Sequence, residues 1–261
     1  MLVSVLGRKY RTDLESLNIE GCGLTVIPKE LHKFTDLKKL VIFNNNLSTF
    51  VSEIDNLSLP ISLIYLNCGQ NKISSLTTGI GKLINLQELF LHRNQLKTLP
   101  ESIGSLVNLK KLNLEFNKLS VLPDSICNLV KLNWLYLNNN ELSTLPEAFD
   151  KLVNLRVLDL SNNNLISLPV SLNKLVNLQA LRLTDNKLNF IFPELTKIVR
   201  VINITESSYQ IDNLSQDCEI LIFSDLAKEI TNLPTGVKEI WIARGEEHIK
   251  KIPYGCVIKK F

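Results

Sequence analysis

The chain repeats one 23-residue phrase almost word for word between residues 86 and 177. The copies are LQELFLHRNQLKTLPESIGSLVN, LKKLNLEFNKLSVLPDSICNLVK, LNWLYLNNNELSTLPEAFDKLVN and LRVLDLSNNNLISLPVSLNKLVN. Each reads LxxLxLxxNxL and continues close to LPxxIxxLxN, and a fifth copy begins at Leu178. No single copy could bury its apolar face alone, so the copies must stack and share one core.

The copy that begins at Leu109 shows what each phrase builds. Leu112 and Leu114 alternate with polar residues, which predicts a short strand with one buried face. Asn117 follows where the chain must turn, and its side-chain amide can satisfy main-chain groups in neighbouring coils. Pro123 then suits the first turn of a short helix on the outer side.

Earlier copies begin at Leu14, Leu37 and Leu63. The step from Leu37 to Leu63 is three residues longer than the standard period, which predicts a small bulged loop within residues 52–59. Residues 1–13 precede the first strand, and we interpret them as an N-terminal cap on the first coil.

The period shortens to 19 residues after Leu178. Five apolar columns keep this spacing, which favours further coils of the same stack; a separate small β-rich cap is the alternative. Shorter coils leave no room for an outer helix, so the outer segments 205–217, 224–236 and 243–255 should be extended. The column heads are Val199, Cys218, Val237 and Cys256, and the predicted strands are 201–204, 220–223 and 239–242.

The 23-residue phrase resembles the intracellular leucine-rich repeats of Ras-suppressor and Shoc2-like scaffolds, and those of bacterial effector proteins. The tail phrases LPTGVKEIWI and IPYGCVIKKF are similar to the shorter FNIP-type repeats. The resemblance implies a scaffold that binds a protein partner, a small GTPase or another signalling protein among them. In that family catalytic activity lies in appended domains, so we expect no enzymatic activity.

These patterns predict the fold class and its divisions. The class is an α/β solenoid, with a parallel concave sheet of about eleven strands and short convex helices up to about residue 177. Residues 1–13 form the cap, residues 14–198 the repeats of about 23 residues, and residues 199–261 the 19-residue repeats with a C-terminal cap.

Composition and motifs argue against several classes of function. The net charge is +3, which does not indicate a nucleic-acid-binding surface. The longest apolar runs fall far short of the roughly 18–20 residues of a membrane span. His32, His92 and His248 lie outside any metal-ligand spacing, and phosphate-binding glycine loops are absent. We therefore expect no catalytic, cofactor or metal site.

The cysteines favour a reducing compartment. Their number is odd, and four of the five stand where the repeat wants a buried small or apolar residue. The segment before the first strand lacks the features of a signal peptide. We expect a cytoplasmic protein, located in the host cytosol if it is a delivered effector. The five are Cys22, Cys68, Cys127, Cys218 and Cys256.

The candidate partner-binding residues are those that the strand pattern places on the concave face. Exposed aromatic side chains flanked by charge are typical of interface hot spots. The alternative is that some of these rings pack on each other and only stabilise the sheet. His92 and Glu115 fall in one column and could pair. The candidates are Phe43, Tyr65, Phe90, His92, Arg93, Phe116, Trp134 and Tyr136.

The sequence thus predicts a monomeric scaffold that binds a protein partner through its concave face, as an adaptor, an inhibitor or an effector. Two other classes remain open at this stage. An extracellular receptor or adhesin module is the main alternative, and flanking cysteine pairs would support it. An enzyme is the third class.

Overall fold

The computed structural model describes residues 2–49, 59–188, 201–204, 219–223, 229–230, 233 and 235–260. The chain divides into two compact units, Met1–Leu132 and Asn133–Phe261. Of the predicted bulge at 52–59, only Leu59 lies among the described residues, and it is buried. The predicted extended segment 205–217 and most of 224–236 lie outside them.

The first unit begins with a hairpin and continues as parallel strands. The hairpin strands β1 (Leu2–Val5) and β2 (Arg8–Arg11) pair antiparallel, and the Tyr10 ring lies 6.5 Å from that of Phe34 in the first coil. Each following strand pairs with the next in register. These strands are β3 (Ser16–Asn18), β4 (Lys39–Val41), β5 (Tyr65–Asn67), β6 (Glu88–Phe90) and β7 (Lys111–Asn113).

From β3 to β7, each strand buries its middle residue and leaves the two on either side half-buried or exposed. Leu66, Leu89 and Leu112 are fully buried, while their strand neighbours keep access to solvent. Burying one leucine contributes roughly 1.5–3 kcal/mol. The same leucine positions repeat in every coil, so the summed free energy of their burial holds the coils in one register. The other face of the sheet stays open.

A column of buried asparagines connects neighbouring coils, as the sequence predicts. Asn117 donates from Nδ2 to the carbonyl oxygens of Leu91 and Leu114, both at 3.0 Å. Its Oδ1 accepts from the Leu96 N–H at 3.0 Å. An amide that both donates and accepts can satisfy two coils at once. The first unit contains Asn45, Asn71, Asn94 and Asn117 in this column, and the second contains Asn140, Asn163 and the half-buried Asn186.

The outer side of the coils is formed by short 3-10 helices. Pro123 lies one residue before its helix, rather than within the first turn as the sequence suggested, because its backbone is extended with ψ of 147°. Its carbonyl accepts from the Ile126 N–H at 3.0 Å and so begins the turn. The Leu129 N–H donates to the Ile126 carbonyl at 3.2 Å and closes that turn. The 3-10 helices are Lys29–Lys33, Thr78–Lys82, Glu101–Ser105 and Asp124–Asn128 in the first unit, and Phe149–Lys151, Val170–Lys174 and Glu246–His248 in the second.

The second unit is a parallel sheet of seven strands among its described residues. The three strands predicted from the 19-residue period are present at the predicted positions, and one more forms at the C-terminal end. The strands are β8 (Trp134–Tyr136), β9 (Val157–Asp159), β10 (Ala180–Arg182), β11 (Val201–Ile204), β12 (Ile220–Phe223), β13 (Glu239–Ile242) and β14 (Val257–Lys260).

Parallel pairing from β10 through β14 continues the stack, as the shared apolar columns predict. Ile230 and Ile249, which share one such column, form a parallel bridge. The expectation of a fully extended segment at 243–255 is wrong at Glu246–His248. A single 3-10 turn needs only three residues, and it starts after Gly245, whose φ of 87° reverses the chain.

Candidate interaction face

The open side of the parallel sheet in the first unit is called the strand face here. It is formed by rows of residues that the pairing register aligns from coil to coil. One row runs Lys39, Tyr65, Glu88, Lys111, and the next runs Val41, Asn67, Phe90, Asn113. Phe43, His92 and Phe116 lie just beyond the ends of their strands. Six of the eight predicted partner-binding residues therefore belong to this unit.

Four of the predicted residues pack against each other. The rings of Tyr65 and Phe90 lie 5.2 Å apart, and those of Phe43 and His92 lie 5.7 Å apart. Phe90 meets His92 edge-to-face at 6.4 Å. All four side chains are half-buried. Mutual packing of this kind stabilises a sheet, so these four rings are partly accounted for by folding.

The sequence suggested that His92 could pair with Glu115, but the two do not pair among the described residues. A glycine in the neighbouring coil instead leaves space for the His92 ring. A Cβ on Gly69 would lie 2.3 Å from the His92 Cε1, so the ring occupies the space that a side chain would fill. Burial lowers the pKa of His92; Glu115 raises this pKa and Arg93 lowers it. Among the described residues, the buried Nδ1 of His92 has no hydrogen-bond partner.

Cations lie over three of the aromatic rings on the strand face. The Lys39 Nζ is 4.8 Å from the centre of the Tyr65 ring, and the Lys111 Nζ is 5.1 Å from that of Phe90. Such contacts contribute roughly 0.5–1 kcal/mol at exposed sites. Lys39 and Lys111 are not among the predicted partner-binding residues, although the pairing register puts each beside an aromatic residue. Burial also raises the pKa of Tyr65.

The third cation–ring pair, Arg93 and Phe116, differs from the rest of the face. The guanidinium lies 4.5 Å from the ring centre. Both residues have left-handed backbone, with φ of 53°, and the Phe116 side chain is 40% exposed. The equivalent residue in other coils is mostly Asn or Asp, which tolerate this conformation. The others are Asn44, Gln70, Asn139, Asn162 and Asp185.

The remaining two predicted residues, Trp134 and Tyr136, lie on β8 in the second unit. Trp134 is 37% exposed, and Tyr136 is half-buried. Tyr136 is aligned with Asp159, whose carboxylate accepts from the Arg182 guanidinium at 3.0 Å. The open side of this sheet therefore also combines aromatic and charged groups.

Trp241 on β13 is an aromatic residue that the sequence analysis missed. Its Nε1 donates to Glu239 at 2.8 Å, and Glu239 also accepts from the Lys259 Nζ at 2.7 Å. These two bonds lower the pKa of Glu239, and Lys259 lies 4.9 Å from the centre of the Trp241 ring. The EIWI strand pattern, which places Trp241 between two buried isoleucines, is the signal that could have revealed it.

The part of the chain that the structure describes contains no group of three or more His, Cys, Asp or Glu residues arranged to hold a metal ion. Nor does any helix there have the length and apolar character that a membrane crossing requires. The chemistry of the face is instead that of rings, cations and a few carboxylates.

Comparison with known families agrees with this repeat structure. A model described as leucine rich repeat matches residues 61–119, 84–142, 107–165 and 143–188, and a second model with the same description matches residues 13–34. The chain belongs to the leucine-rich repeat proteins. This family is one of interaction modules, and the fold supports a protein–protein interaction role in general terms. Comparison with curated proteins gave no match.

Solved structures of other leucine-rich repeat proteins have a similar fold. A leucine-rich repeat protein of Leptospira interrogans shares 25% identity, covering 90% of this chain and 79% of that one, with a TM-score of 0.54. A chain from the complex of Latrophilin 3, Unc5D and FLRT2 shares 20% identity, covering 97% of this chain and 85% of that one, with a TM-score of 0.73. Internalin C2 of Listeria monocytogenes shares 19% identity, covering 77% of this chain and 87% of that one, with a TM-score of 0.62.

Proposed function

We propose that this leucine-rich repeat protein is a scaffold that binds a protein partner through the concave side of its coils. The residues that we assign to this role in the first unit are those of the strand face. The observation that carries the proposal is the backbone and exposure of Phe116. Its ring stands partly in solvent on a left-handed backbone, with Arg93 stacked beside it.

Folding alone does not account for Phe116. A left-handed conformation costs a bulky residue roughly 1–2 kcal/mol. The stack with Arg93 stabilises the fold by only roughly 0.5–1 kcal/mol, the usual range at an exposed site. Asn44 fills the same position in an earlier coil of this unit without a ring. A residue that costs stability and exposes apolar surface is better accounted for by binding, because aromatic and Arg side chains dominate interface energetics.

The fold neighbours are consistent with a binding role. FLRT2 takes part, with a leucine-rich repeat segment, in an octameric complex with Latrophilin 3 and Unc5D. The same architecture can therefore present a surface to other proteins. We propose no enzymatic role for the chain, because leucine-rich repeat domains are typically binding scaffolds without activity of their own.

Affinity capture with matched variants tests the proposal. Wild-type protein and the Phe116→Asn variant are used side by side, with Val121→Asn as the control, because Val121 is similarly exposed at 48% but belongs to an outer segment. A partner should bind wild type and the control at least tenfold more tightly than Phe116→Asn. Equal affinity for all three proteins would contradict binding through the strand face.

We further propose a cytoplasmic location, or the host cytosol for a delivered effector. Buried Cys68 and Cys127 are consistent with thiols that stay reduced. The alternative is an extracellular recognition module of the receptor or adhesin type. Fractionation of cells that express the natural gene separates the two, since an extracellular module would be found in the secreted or surface fraction.

A further inference from the structure

A second row of exposed apolar residues lies away from the strand face of the first unit. It follows the edge where each coil leaves its outer segment and enters the next strand. Leu83, Leu106 and Leu129, each one residue earlier, are fully buried. We call the exposed row the apolar ridge. It consists of Ile61, Ile84, Val107 and Val130, which recur every 23 residues and are 65%, 53%, 46% and 41% exposed.

Hydrogen bonds from neighbouring asparagines connect the ridge from coil to coil at Ile61 and Ile84. Asn85 donates from Nδ2 to the Ile61 carbonyl at 3.1 Å, and Asn108 donates to the Ile84 carbonyl at 2.9 Å. Each bond connects a ridge residue to the next coil. The ridge therefore repeats at the strand spacing of about 4.8 Å, and four residues span three gaps, or roughly 14 Å.

The stacking of the coils does not require an apolar residue at this position. The first coil has Thr35 there, beside Asp36, and its stack is intact. Ile61 exposes 65% of its surface, so its apolar side chain contributes little to the core. A contiguous exposed apolar row with polar neighbours is typical of a surface that contacts another macromolecule.

Exposed lysines lie beside the ridge among neutral neighbours such as Gln87, Ser105 and Asn128. Lys82 precedes Ile84 on the outer side, Lys110 lies toward the strand, and Lys131 directly follows Val130; all three are exposed. Lys131 donates to Asn108 Oδ1 at 2.7 Å, and this neutral amide does not compensate the charge of the lysine. Lys110 has no ion pair among the described residues. The ridge is therefore an apolar row with cations beside it, complementary to an apolar stripe bordered by carboxylates.

We propose that the apolar ridge binds an amphipathic α-helix of a partner protein whose apolar stripe is flanked by Asp or Glu. One helical turn rises about 5.4 Å, close to the ridge spacing of about 4.8 Å, so three turns place one apolar residue beside each ridge residue. Carboxylates on both sides of the stripe then meet the lysines. This surface is separate from the strand face and does not depend on the function proposed above.

The second unit has the same arrangement independently. Val153 and Val176 are 47% and 50% exposed at the equivalent position. Asn177 donates to the Val153 carbonyl at 2.7 Å, as Asn85 and Asn108 do in the first unit. The flanking basic residues in this unit are Lys151, Arg156 and Lys174, of which Lys174 pairs with Asp150 at 3.3 Å.

Methyl NMR with two synthetic helical peptides tests the inference on the whole chain. Both peptides carry the same leucine stripe, one with Glu flanks and one with Lys flanks. The Glu-flanked peptide should shift the methyl signals of Ile61, Ile84, Val107 and Val130, and should bind at least tenfold more tightly than the Lys-flanked peptide. The double variants Ile84→Thr/Val107→Thr and Lys82→Glu/Lys110→Glu should each weaken its binding at least fivefold.

Controls keep the result specific to the ridge. Val121→Thr/Lys118→Glu changes one equally exposed apolar residue and one exposed lysine elsewhere, and should bind like wild type. Phe116→Asn should also bind like wild type, which separates this surface from the strand face. Equal binding of the two peptides, no binding, or binding unaffected by the ridge variants would overturn the inference. Ridge-dependent binding only to vesicles of phosphatidylserine and phosphatidylcholine would replace it with a membrane contact.

Discussion

The guanidinium of Arg93 stacks 4.5 Å from the centre of the Phe116 ring, and both residues have the left-handed backbone that Asn or Asp adopts in most other coils. The pair is thus built from two residues that the backbone does not favour. The repeat imposes the left-handed conformation, because every coil turns at this point, but it does not require these two side chains. Substitutions at these positions can therefore measure what each side chain contributes to folding and to binding.

The first prediction concerns the stability of Phe116 variants. Phe116→Asn and Phe116→Ala both lose the ring, but only Asn relieves the left-handed strain. We expect the free energy of unfolding of Phe116→Asn to exceed that of Phe116→Ala by about 1 kcal/mol and to lie near the wild-type value. Urea denaturation measures both. If wild type were more stable than Phe116→Asn by well over 1 kcal/mol, the ring would be a folding residue and the binding proposal would lose its main support.

The second prediction compares an asparagine of the buried column, Asn117, with an asparagine beside the apolar ridge, Asn108. Asn117→Ala leaves the Leu96 N–H and the carbonyls of Leu91 and Leu114 without their partner inside the stack. We expect a loss of about 3 kcal/mol, because buried unsatisfied groups keep their desolvation penalty. Asn108→Ala removes two exposed bonds, to the Ile84 carbonyl and from Lys131, and should cost less than about 1 kcal/mol. Similar losses for both variants would contradict the structural role assigned to the buried column.

The regular part of the fold could be predicted from the sequence because each copy repeats the same physical constraints. Leu112 and Asn117 have equivalents in neighbouring coils, so one correct assignment extends to all of them. The strand at Val201–Ile204 followed from apolar spacing alone. The 3-10 turn at Glu246–His248 did not, because a three-residue turn leaves no periodic signal.

The candidate face was harder to predict because burial on an open sheet depends on neighbours. The sequence places Cys22 at the repeat's buried asparagine position, yet Cys22 is exposed: it lies in the first coil between Gly21 and Gly23, both with left-handed backbone. His92 turned toward Gly69 because the absence of a side chain in another coil left space for the ring. Such relationships between coils are not visible within a single repeat.

The third prediction uses the pH dependence of His92. Burial lowers its folded-state pKa below the ordinary value of about 6.5. The unfolded chain then binds the proton more readily, so stability is full above that value and falls as the pH drops toward the folded-state pKa. His92→Gln should remove this part of the pH dependence. Urea denaturation of wild type and of His92→Gln over a series of pH values measures the difference.

Gly69→Ala tests the cause of that shift. The new Cβ would lie 2.3 Å from the His92 Cε1 and must displace the ring toward solvent. The NMR titration of His92 should then move upward, toward the ordinary value. An unchanged titration in Gly69→Ala would show that the glycine does not set the environment of the ring.

The fourth prediction concerns thiol reactivity. Cys22 is exposed and should react at once with a thiol reagent, whereas buried Cys68 and Cys127 should react only after denaturation. Burial also raises the pKa of Cys68, which keeps it protonated. Half-buried Cys256, whose pKa is raised for the same reason, should react more slowly than Cys22. Cys218 lies outside the described residues.

The control is Cys22→Ser, which should abolish the immediate reaction with the thiol reagent and leave the reaction of the other cysteines unchanged. Mass spectrometry of freshly purified protein provides the second check. A mass deficit that indicates a disulfide would argue against the proposed reducing compartment and favour the extracellular alternative.

The fifth prediction concerns the second unit, which contains the predicted partner-binding residues Trp134 and Tyr136. Trp134 is 37% exposed, so Trp134→Ala should weaken partner binding by about 2 kcal/mol or more while changing stability little. Tyr136 is half-buried, so Tyr136→Ala should lower both affinity and stability. Ile166→Ala, at a residue 53% exposed in an outer segment, is the matched control and should change neither. If both aromatic variants remain folded and bind the partner like wild type, the open side of this sheet is not the main site, and the apolar ridge becomes the stronger candidate.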